Sequence, residues 1–170
     1  MAGLVALFWS TARRPQTGAI NVGSKAPAFS LASTGGGTVT LASLAGRNTL
    51  LYFSEGVGCD PCFTQMVELQ QQQAQLNQLG ITLVPIMTNP AGAVTQEMQR
   101  FRLSYPVLID ASKSVSSAYG TLGTGHHADL PGHSFILIDK TGAIRWRGDY
   151  SSMYVSTSEL LTKLQQALKT

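Results

Sequence analysis

Apolar residues follow two different periods along this chain, and the two periods alternate. Residues 49–54 and 81–87 are continuous, largely apolar runs, a pattern typical of strands that are buried on both faces of a sheet. Between these runs, residues 61–79 carry apolar side chains at helical spacing and end at Gly80, which favours one long helix. Strands that alternate with helices indicate an α/β architecture.

The remaining segments supply further strands and helices of the same domain. Further strands are predicted within residues 22–31, 38–41, 107–109, 134–139 and 143–147, and a short helix at residues 114–119. Asn89 is interpreted as a helix N-cap with Pro90 at the first helical position. Ser156 and Glu159 have the spacing of a capping box at the start of the last helix. Together these elements predict a mixed central sheet flanked by helices, in a single domain that covers residues 22–170.

Composition narrows the possible partners of this domain. Hydrophobic residues make up 44% of the 170 positions, which is ordinary for a globular protein, whereas only 12% of the residues are charged. The net charge is +3, but no dense run of Lys and Arg accompanies it. We therefore expect no nucleic-acid partner.

The first 21 residues differ from the rest of the chain. Residues 2–9 are apolar, and residues 10–18 are polar and include Arg13 and Arg14. Eight apolar residues are too few to span a bilayer, which needs about 20. Residues 1–21 are thus interpreted either as a loosely docked tail or as the remnant of a membrane anchor, which would tether the domain.

The two cysteines of the chain, Cys59 and Cys62, are separated by two residues. They lie between the predicted strand and the predicted long helix, where unpaired N–H groups and the helix dipole favour the reactive thiolate form. Pro61 suits the first helical turn, because no hydrogen bond is lost there. We predict that Cys59 is the exposed attacking thiol and Cys62 the partly buried resolving thiol. The pair would form a redox-active disulfide, and no other cofactor is expected.

A static structural disulfide is the alternative interpretation of this pair. So short a loop removes little chain entropy when it is closed, so a purely stabilising role is disfavoured. A zinc ribbon is excluded because it needs a second pair of ligands of this kind. Asp60, between the cysteines, argues against high reactivity, since a neighbouring carboxylate raises a thiol pKa.

The cysteine segment has a family resemblance. Residues 52–64 resemble the active-site segment of the thioredoxin-like superfamily. Residues 22–31 and 135–142 resemble its alkyl hydroperoxide reductase/thiol-specific antioxidant (redoxin) branch, and the chain is also similar to membrane-tethered thiol–disulfide oxidoreductases of bacterial cytochrome maturation. The resemblance covers residues 22–170 and implies a thioredoxin-like fold, with protein thiols and disulfides as partners. It also implies a membrane-bound reducing partner and a bacterial protein on the extracytoplasmic face of the membrane, with a cytoplasmic location as the alternative.

The same branch contains peroxiredoxins, so a thiol peroxidase with antioxidant activity is the alternative function. Peroxiredoxins carry a Pro seven residues, and a Thr or Ser three residues, before the attacking Cys, and an Arg near the start of the penultimate strand. This chain has Tyr52, Gly56 and His133 at those positions. These departures favour disulfide exchange over peroxide reduction.

Two more residues are expected at the site because of their positions. Thioredoxin-like reductases place a cis-proline opposite the Cys pair, and Pro131 is the candidate here. Pro131 lies two residues earlier than the usual position, counted back from Asp139. Glu55, four residues before Cys59, is either a buried proton relay for Cys62 or a solvated loop carboxylate.

All three histidines, at positions 126, 127 and 133, lie in one loop before a predicted strand. In one interpretation, they cap backbone groups in a polar loop. Alternatively, His127 or His133 approaches Cys59 and stabilises its thiolate or transfers protons. In a third interpretation, Cys59, Cys62 and either His127 or His133 bind copper, as in copper chaperones of thioredoxin fold. Those chaperones usually have three residues between their cysteines, so we predict that the histidines, His133 above all, serve the cysteines.

Overall fold

The computed structural model describes residues 20–169, which fold around one seven-stranded sheet. The strands are β1 (Ser30–Ser33), β2 (Thr38–Thr40), β3 (Asn48–Phe53), β4 (Ile81–Met87), β5 (Leu108–Ile109), β6 (Ser134–Ile138) and β7 (Ile144–Asp149). The helices are α1 (Asp60–Gln71), α2 (Gln73–Gln78), α3 (Ala91–Arg100), α4 (Ser114–Ala118) and α5 (Thr157–Ala167), with a 3-10 turn at Ala42–Leu44.

The sheet is mixed, with the strand order β2-β1-β5-β4-β3-β6-β7. Strand β4 is parallel to both β3 and β5, and the other neighbouring pairs are antiparallel. This topology confirms the predicted α/β fold with a mixed central sheet.

Strand register brings three segments together at one edge of the sheet. Strand β3 is buried along its whole length. Its last residue, Phe53, lies opposite Ile86 near the end of β4 and opposite Ser134 at the start of β6. The loops that follow β3 and β4 therefore lie beside His133, which immediately precedes β6.

The two faces of the sheet carry separate apolar cores. Because successive side chains of a strand point to opposite faces, Leu50 and Tyr52 pack with residues of α1, α3 and α5. Leu51 and Phe53 pack on the other face, which α4 covers. Tyr52 therefore lies on the same face of the sheet as the helix that follows Cys59.

Two helix predictions differ from the structure. The helix predicted over residues 61–79 is divided into α1 and α2, with Gln72 between them. Asn89 is not an N-cap, because its Oδ1 atom accepts a hydrogen bond from the Val57 N–H at 3.1 Å, and α3 has no side-chain cap. The capping prediction for α5 is confirmed, since Ser156 accepts a hydrogen bond from the Glu159 N–H at 3.3 Å.

Most of the predicted N-terminal segment lies outside the described residues. The structure describes neither residues 1–19 nor residue 170, so the tail or anchor predicted for residues 1–21 stays a prediction. Within residues 20–169, none of the helices has the length and apolar character needed to cross a membrane.

Candidate active site

Cys59 and Cys62 form a disulfide at the start of α1. Their Cα atoms are 5.3 Å apart. Cys59 is the N-cap of the helix, and its sulfur accepts a hydrogen bond from the Cys62 N–H at 3.3 Å. Cys59 retains 8% exposure whereas Cys62 is fully buried. The difference has the direction expected of an attacking and a resolving thiol, but Cys59 is buried in the disulfide form and not exposed as predicted.

Glycine at position 56 is required by the turn that leads to Cys59. Its φ angle is +77°, and a Cβ atom there would collide with the side chain of Asn89. The side-chain oxygen of Asn89 accepts a hydrogen bond from the N–H of Val57, the residue that follows Gly56. A Thr or Ser, which a peroxiredoxin carries at this position, is therefore incompatible with this loop conformation.

Met153 covers the cysteine pair, a role that nothing in the sequence pattern indicated. It is 2% exposed and forms a small buried cluster with Cys59 and Cys62. Its φ angle is +58°, a left-handed conformation that is uncommon for a residue with a side chain. Within this cluster Cys59 is the more exposed of the two cysteines.

Glu55 anchors the loop of residues 123–133, the histidine loop, which contains all three histidines of the chain. This carboxylate is 6% exposed, and its Oε1 atom accepts hydrogen bonds from the N–H groups of His126 at 2.7 Å and His127 at 3.1 Å. Its Oε2 atom lies 3.7 Å from Nε2 of His127. Glu55 is thus buried rather than a solvated loop carboxylate, and its action as a proton relay for Cys62 stays a prediction.

His133 belongs to a buried network rather than to a contact with Cys59. Its Nδ1 atom lies 3.0 Å from the Tyr52 hydroxyl, and its Nε2 atom lies 3.3 Å from Oε1 of Gln65. The Tyr52 hydroxyl oxygen, which has a single proton to donate, also lies 3.2 Å from the Cys62 carbonyl oxygen, and Oε1 of Gln65 accepts from the Val155 N–H at 3.0 Å. The network therefore joins β3, α1 and β6 directly behind the cysteine pair.

Burial determines the charge of this histidine. His133 is 1% exposed, and desolvation lowers the pKa of its imidazole to about 4. It is therefore neutral near pH 7, and the prediction of an imidazolium that stabilises the Cys59 thiolate is wrong for His133. Sequence position placed the residue at the correct edge of the sheet, but the charge depends on the surrounding Tyr52 and Gln65 side chains.

Pro131 does not provide a cis-proline. Every peptide bond within residues 20–169 is trans, including the bond that precedes Pro131. Pro131 is buried and forms an isolated antiparallel bridge with Leu122. It therefore holds the two ends of the histidine loop together, and the cis assignment is wrong.

The residues proposed as copper ligands do not converge. The side chain of His127 is 61% exposed and turned toward Glu55, and His133 is engaged by Tyr52 and Gln65. Within the described part of the chain, no group of three or more His, Cys, Asp or Glu residues could hold a metal ion. The geometry thus gives no support to a site built from Cys59, Cys62 and a loop histidine.

The chain is similar to known proteins of two kinds. The profile of the AhpC/TSA family matches residues 22–147. The thiol-disulfide oxidoreductase ResA of Geobacillus thermodenitrificans is 30% identical over 128 residues, which cover 75% of this chain and 68% of that protein. The protein bcp of Haemophilus influenzae, named as a peroxiredoxin, is 27% identical over 129 residues, or 74% of this chain and 83% of its own. A 2-Cys peroxiredoxin structure from Plasmodium vivax has a TM-score of 0.77 at 20% identity, covers 85% of this chain and 94% of its own, and shares the fold.

Proposed function

Because the chain belongs to the AhpC/TSA family, we propose that it is a thiol–disulfide oxidoreductase that reduces or exchanges protein disulfides. The observation that carries this proposal is the Cys59–Cys62 disulfide at the start of α1, in which Cys59 retains 8% exposure and Cys62 none. The relative ResA is named for the same activity.

The reaction proceeds by two exchange steps. The Cys59 thiolate attacks one sulfur of a substrate disulfide, forming a mixed disulfide and releasing the other substrate sulfur as a thiolate. Cys62, once deprotonated, then attacks the Cys59 sulfur and releases the second substrate thiol. The substrate gains two electrons, and the enzyme is left with the Cys59–Cys62 disulfide. A dithiol reductant must then reduce this disulfide by the reverse exchange.

The start of α1 favours the thiolate that this reaction needs. The Cys62 N–H donates to the Cys59 sulfur at 3.3 Å, and the positive end of the helix dipole lies beside it. Hydrogen bonds and dipoles of this kind stabilise a thiolate and lower its pKa. Cys62 lacks exposure, so it acts only on a mixed disulfide already formed at Cys59.

Apolar side chains near the pair suit a protein substrate. Val57 and Tyr154 are both more than a third exposed, and they lie next to the Cys59 turn and next to Met153 in the chain. These two exposed side chains offer contact surface to a polypeptide substrate. Protein disulfides are therefore the proposed substrate class.

The reducing partner and the location extend this proposal. We propose a membrane-bound dithiol donor and a position on the extracytoplasmic face of a bacterial membrane, with residues 1–21 as the tether. The apolar character of residues 2–9 and the resemblance to membrane-tethered thiol–disulfide oxidoreductases support this proposal.

Thiol peroxidase activity is the alternative, favoured by the names of the peroxiredoxin relatives. In this site the Tyr52 hydroxyl is hydrogen-bonded to the Cys62 carbonyl, and His133 is uncharged. The backbone conformation at Gly56 would be strained by a Thr side chain. None of the three supplies the groups that activate a peroxide. The geometry therefore favours disulfide exchange.

An assay of disulfide reduction with dithiol recycling tests the proposal. Wild type should accelerate reduction of a protein disulfide, and Cys59→Ser should abolish the acceleration. The variant His126→Gln changes an exposed loop residue and should retain full activity. Equal rates for wild type and Cys59→Ser would contradict the proposal.

A further inference from the structure

Asp60 poses an electrostatic problem for the proposed reaction. It lies between the two cysteines in the first turn of α1, and its side chain is 60% exposed. A carboxylate beside a thiolate disfavours ionisation of the thiol and slows nucleophilic attack. A reactive Cys59 therefore requires that the charge of Asp60 be compensated.

Arg100, the last residue of α3, provides a positive charge directly on this carboxylate. Its two terminal nitrogens donate to Oδ1 of Asp60 at 2.9 Å and to Oδ2 at 3.0 Å. This is the bidentate fork geometry that arginine forms with a carboxylate and lysine cannot. The hydrogen bond from Arg100 holds the pKa of the Asp60 carboxyl below its ordinary value, so the pair is charged on both sides at neutral pH.

The guanidinium is itself held in place. Glu97, one turn earlier on α3, accepts a hydrogen bond from Arg100 at 2.9 Å. The guanidinium carbon lies 4.8 Å from the centre of the Phe101 ring, which stacks on Phe63 at 5.2 Å. Phe63 follows Cys62 directly, so the end of α3 and the first turn of α1 form one packed unit.

We propose that Arg100 is a positioning residue that clamps the Asp60 carboxylate and cancels its charge, and thereby keeps the Cys59 thiolate reactive near neutral pH. An ion pair this exposed contributes little to folding stability. The effect of Arg100 on the ionisation of Cys59, one residue from Asp60, is larger, because the stability of a thiolate depends on the net charge of its surroundings. The inference rests on the proposed function only in taking Cys59 as the attacking sulfur.

Other charged and titratable groups near the pair must stay constant in the test. They are Glu55 and His127 in the histidine loop, Glu97 on α3, and the buried His133 and Tyr52. Of these groups, Glu97 alone contacts a substituted residue, and its ion pair with Arg100 is lost equally whether position 60 is Asp or Asn. A pH profile of Cys59 reactivity therefore reports on the Asp60–Arg100 pair.

The experiment measures alkylation of Cys59 against pH in the Cys62→Ser background, which leaves a single thiol and needs no disulfide substrate. Arg100→Gln should slow alkylation at pH 7 about threefold, with little change at high pH, and the loss should shrink in high salt. Arg100→Lys should restore part of the rate. Lys163→Gln, which breaks the exposed Lys163–Glu159 pair on α5 and changes the net charge equally, should have no effect.

Asp60→Asn provides the decisive comparison. The variant that combines Asp60→Asn with Arg100→Gln has lost both the carboxylate and the guanidinium, so the net charge beside Cys59 is again that of the unsubstituted pair and the rate at pH 7 should return close to the original one. A combined variant as slow as Arg100→Gln alone would overturn the charge cancellation, and so would an unchanged profile for Arg100→Gln alone. Because alkylation reports on the thiolate directly, failure of the disulfide-reduction assay would leave this result intact.

Discussion

Acidification should destabilise the protein through His133 before most of its carboxylates are protonated. The imidazole has a pKa of about 4 in the fold because burial disfavours its charged form, against 6.5 when it is unperturbed. Between these two values the unfolded chain binds a proton that the folded chain does not. The contribution of the neutral His133 to the free energy of unfolding is therefore fully present above about pH 6.5 and is lost as the pH falls to about 4.

The magnitude follows from the separation of the two pKa values. At about 1.4 kcal/mol per pKa unit, the separation corresponds to about 3 kcal/mol in the free energy of unfolding. No discount for solvent screening applies, because His133 is 1% exposed. A loss of this size is a large share of the stability of a typical domain.

Urea unfolding at a series of pH values, with the disulfide intact, measures this effect against His133→Asn. Protonation of carboxylates lowers the stability of both proteins alike, so the difference between their free energies of unfolding isolates the effect of His133. Wild type should be more stable at pH 7, and this advantage should shrink by about 3 kcal/mol on going to pH 4. The exposed His126 offers a control, since His126→Gln should leave the unfolding curves unchanged. Parallel curves for wild type and His133→Asn would refute the assignment of a buried neutral imidazole.

Three further predictions follow from contacts around the cysteine pair. Met153→Ala should expose Cys62, so that alkylation of the reduced protein labels it several-fold faster, whereas Met153→Leu should not; equal labelling in both variants would show that Met153 does not shield the site. Glu55→Ala should speed amide exchange in the histidine loop, because two backbone N–H groups lose their acceptor, and unchanged protection would contradict the anchoring role. Stopped-flow oxidation by hydrogen peroxide should proceed at Cys59 little faster than for an ordinary thiolate, and a rate several orders of magnitude higher would restore the peroxidase alternative.

Features that depend on local sequence could be predicted. The apolar run of β3, the Cys-x-x-Cys pair at the start of α1 and the Ser156 cap each rest on a few neighbouring residues. Backbone propensity, helix capping and thiol chemistry act at that range, so the pattern alone indicates the structure. These features are sufficient to locate the cysteine pair at the start of α1.

Features that depend on tertiary neighbours could not be predicted. Asn89 is a residue type that is favoured at helix N-caps, but its side-chain oxygen accepts a hydrogen bond from the N–H of Val57, 32 residues away. Arg100 is 40 residues from Asp60, and no spacing rule connects them. The charge of His133 follows from complete burial, which the pattern of its own loop does not reveal.

Capture of the mixed disulfide tests the central claim most directly. When reduced Cys62→Ser is mixed with an oxidised protein substrate, the first exchange step can occur but resolution cannot. Peptide mass spectrometry should then find the substrate joined to Cys59 by a disulfide, and treatment with a dithiol should release the substrate. Cys59→Ser should trap far less, because the remaining Cys62 is fully buried. Equal trapping by the two variants, or none by either, would contradict the account of Cys59 as attacker and Cys62 as resolver.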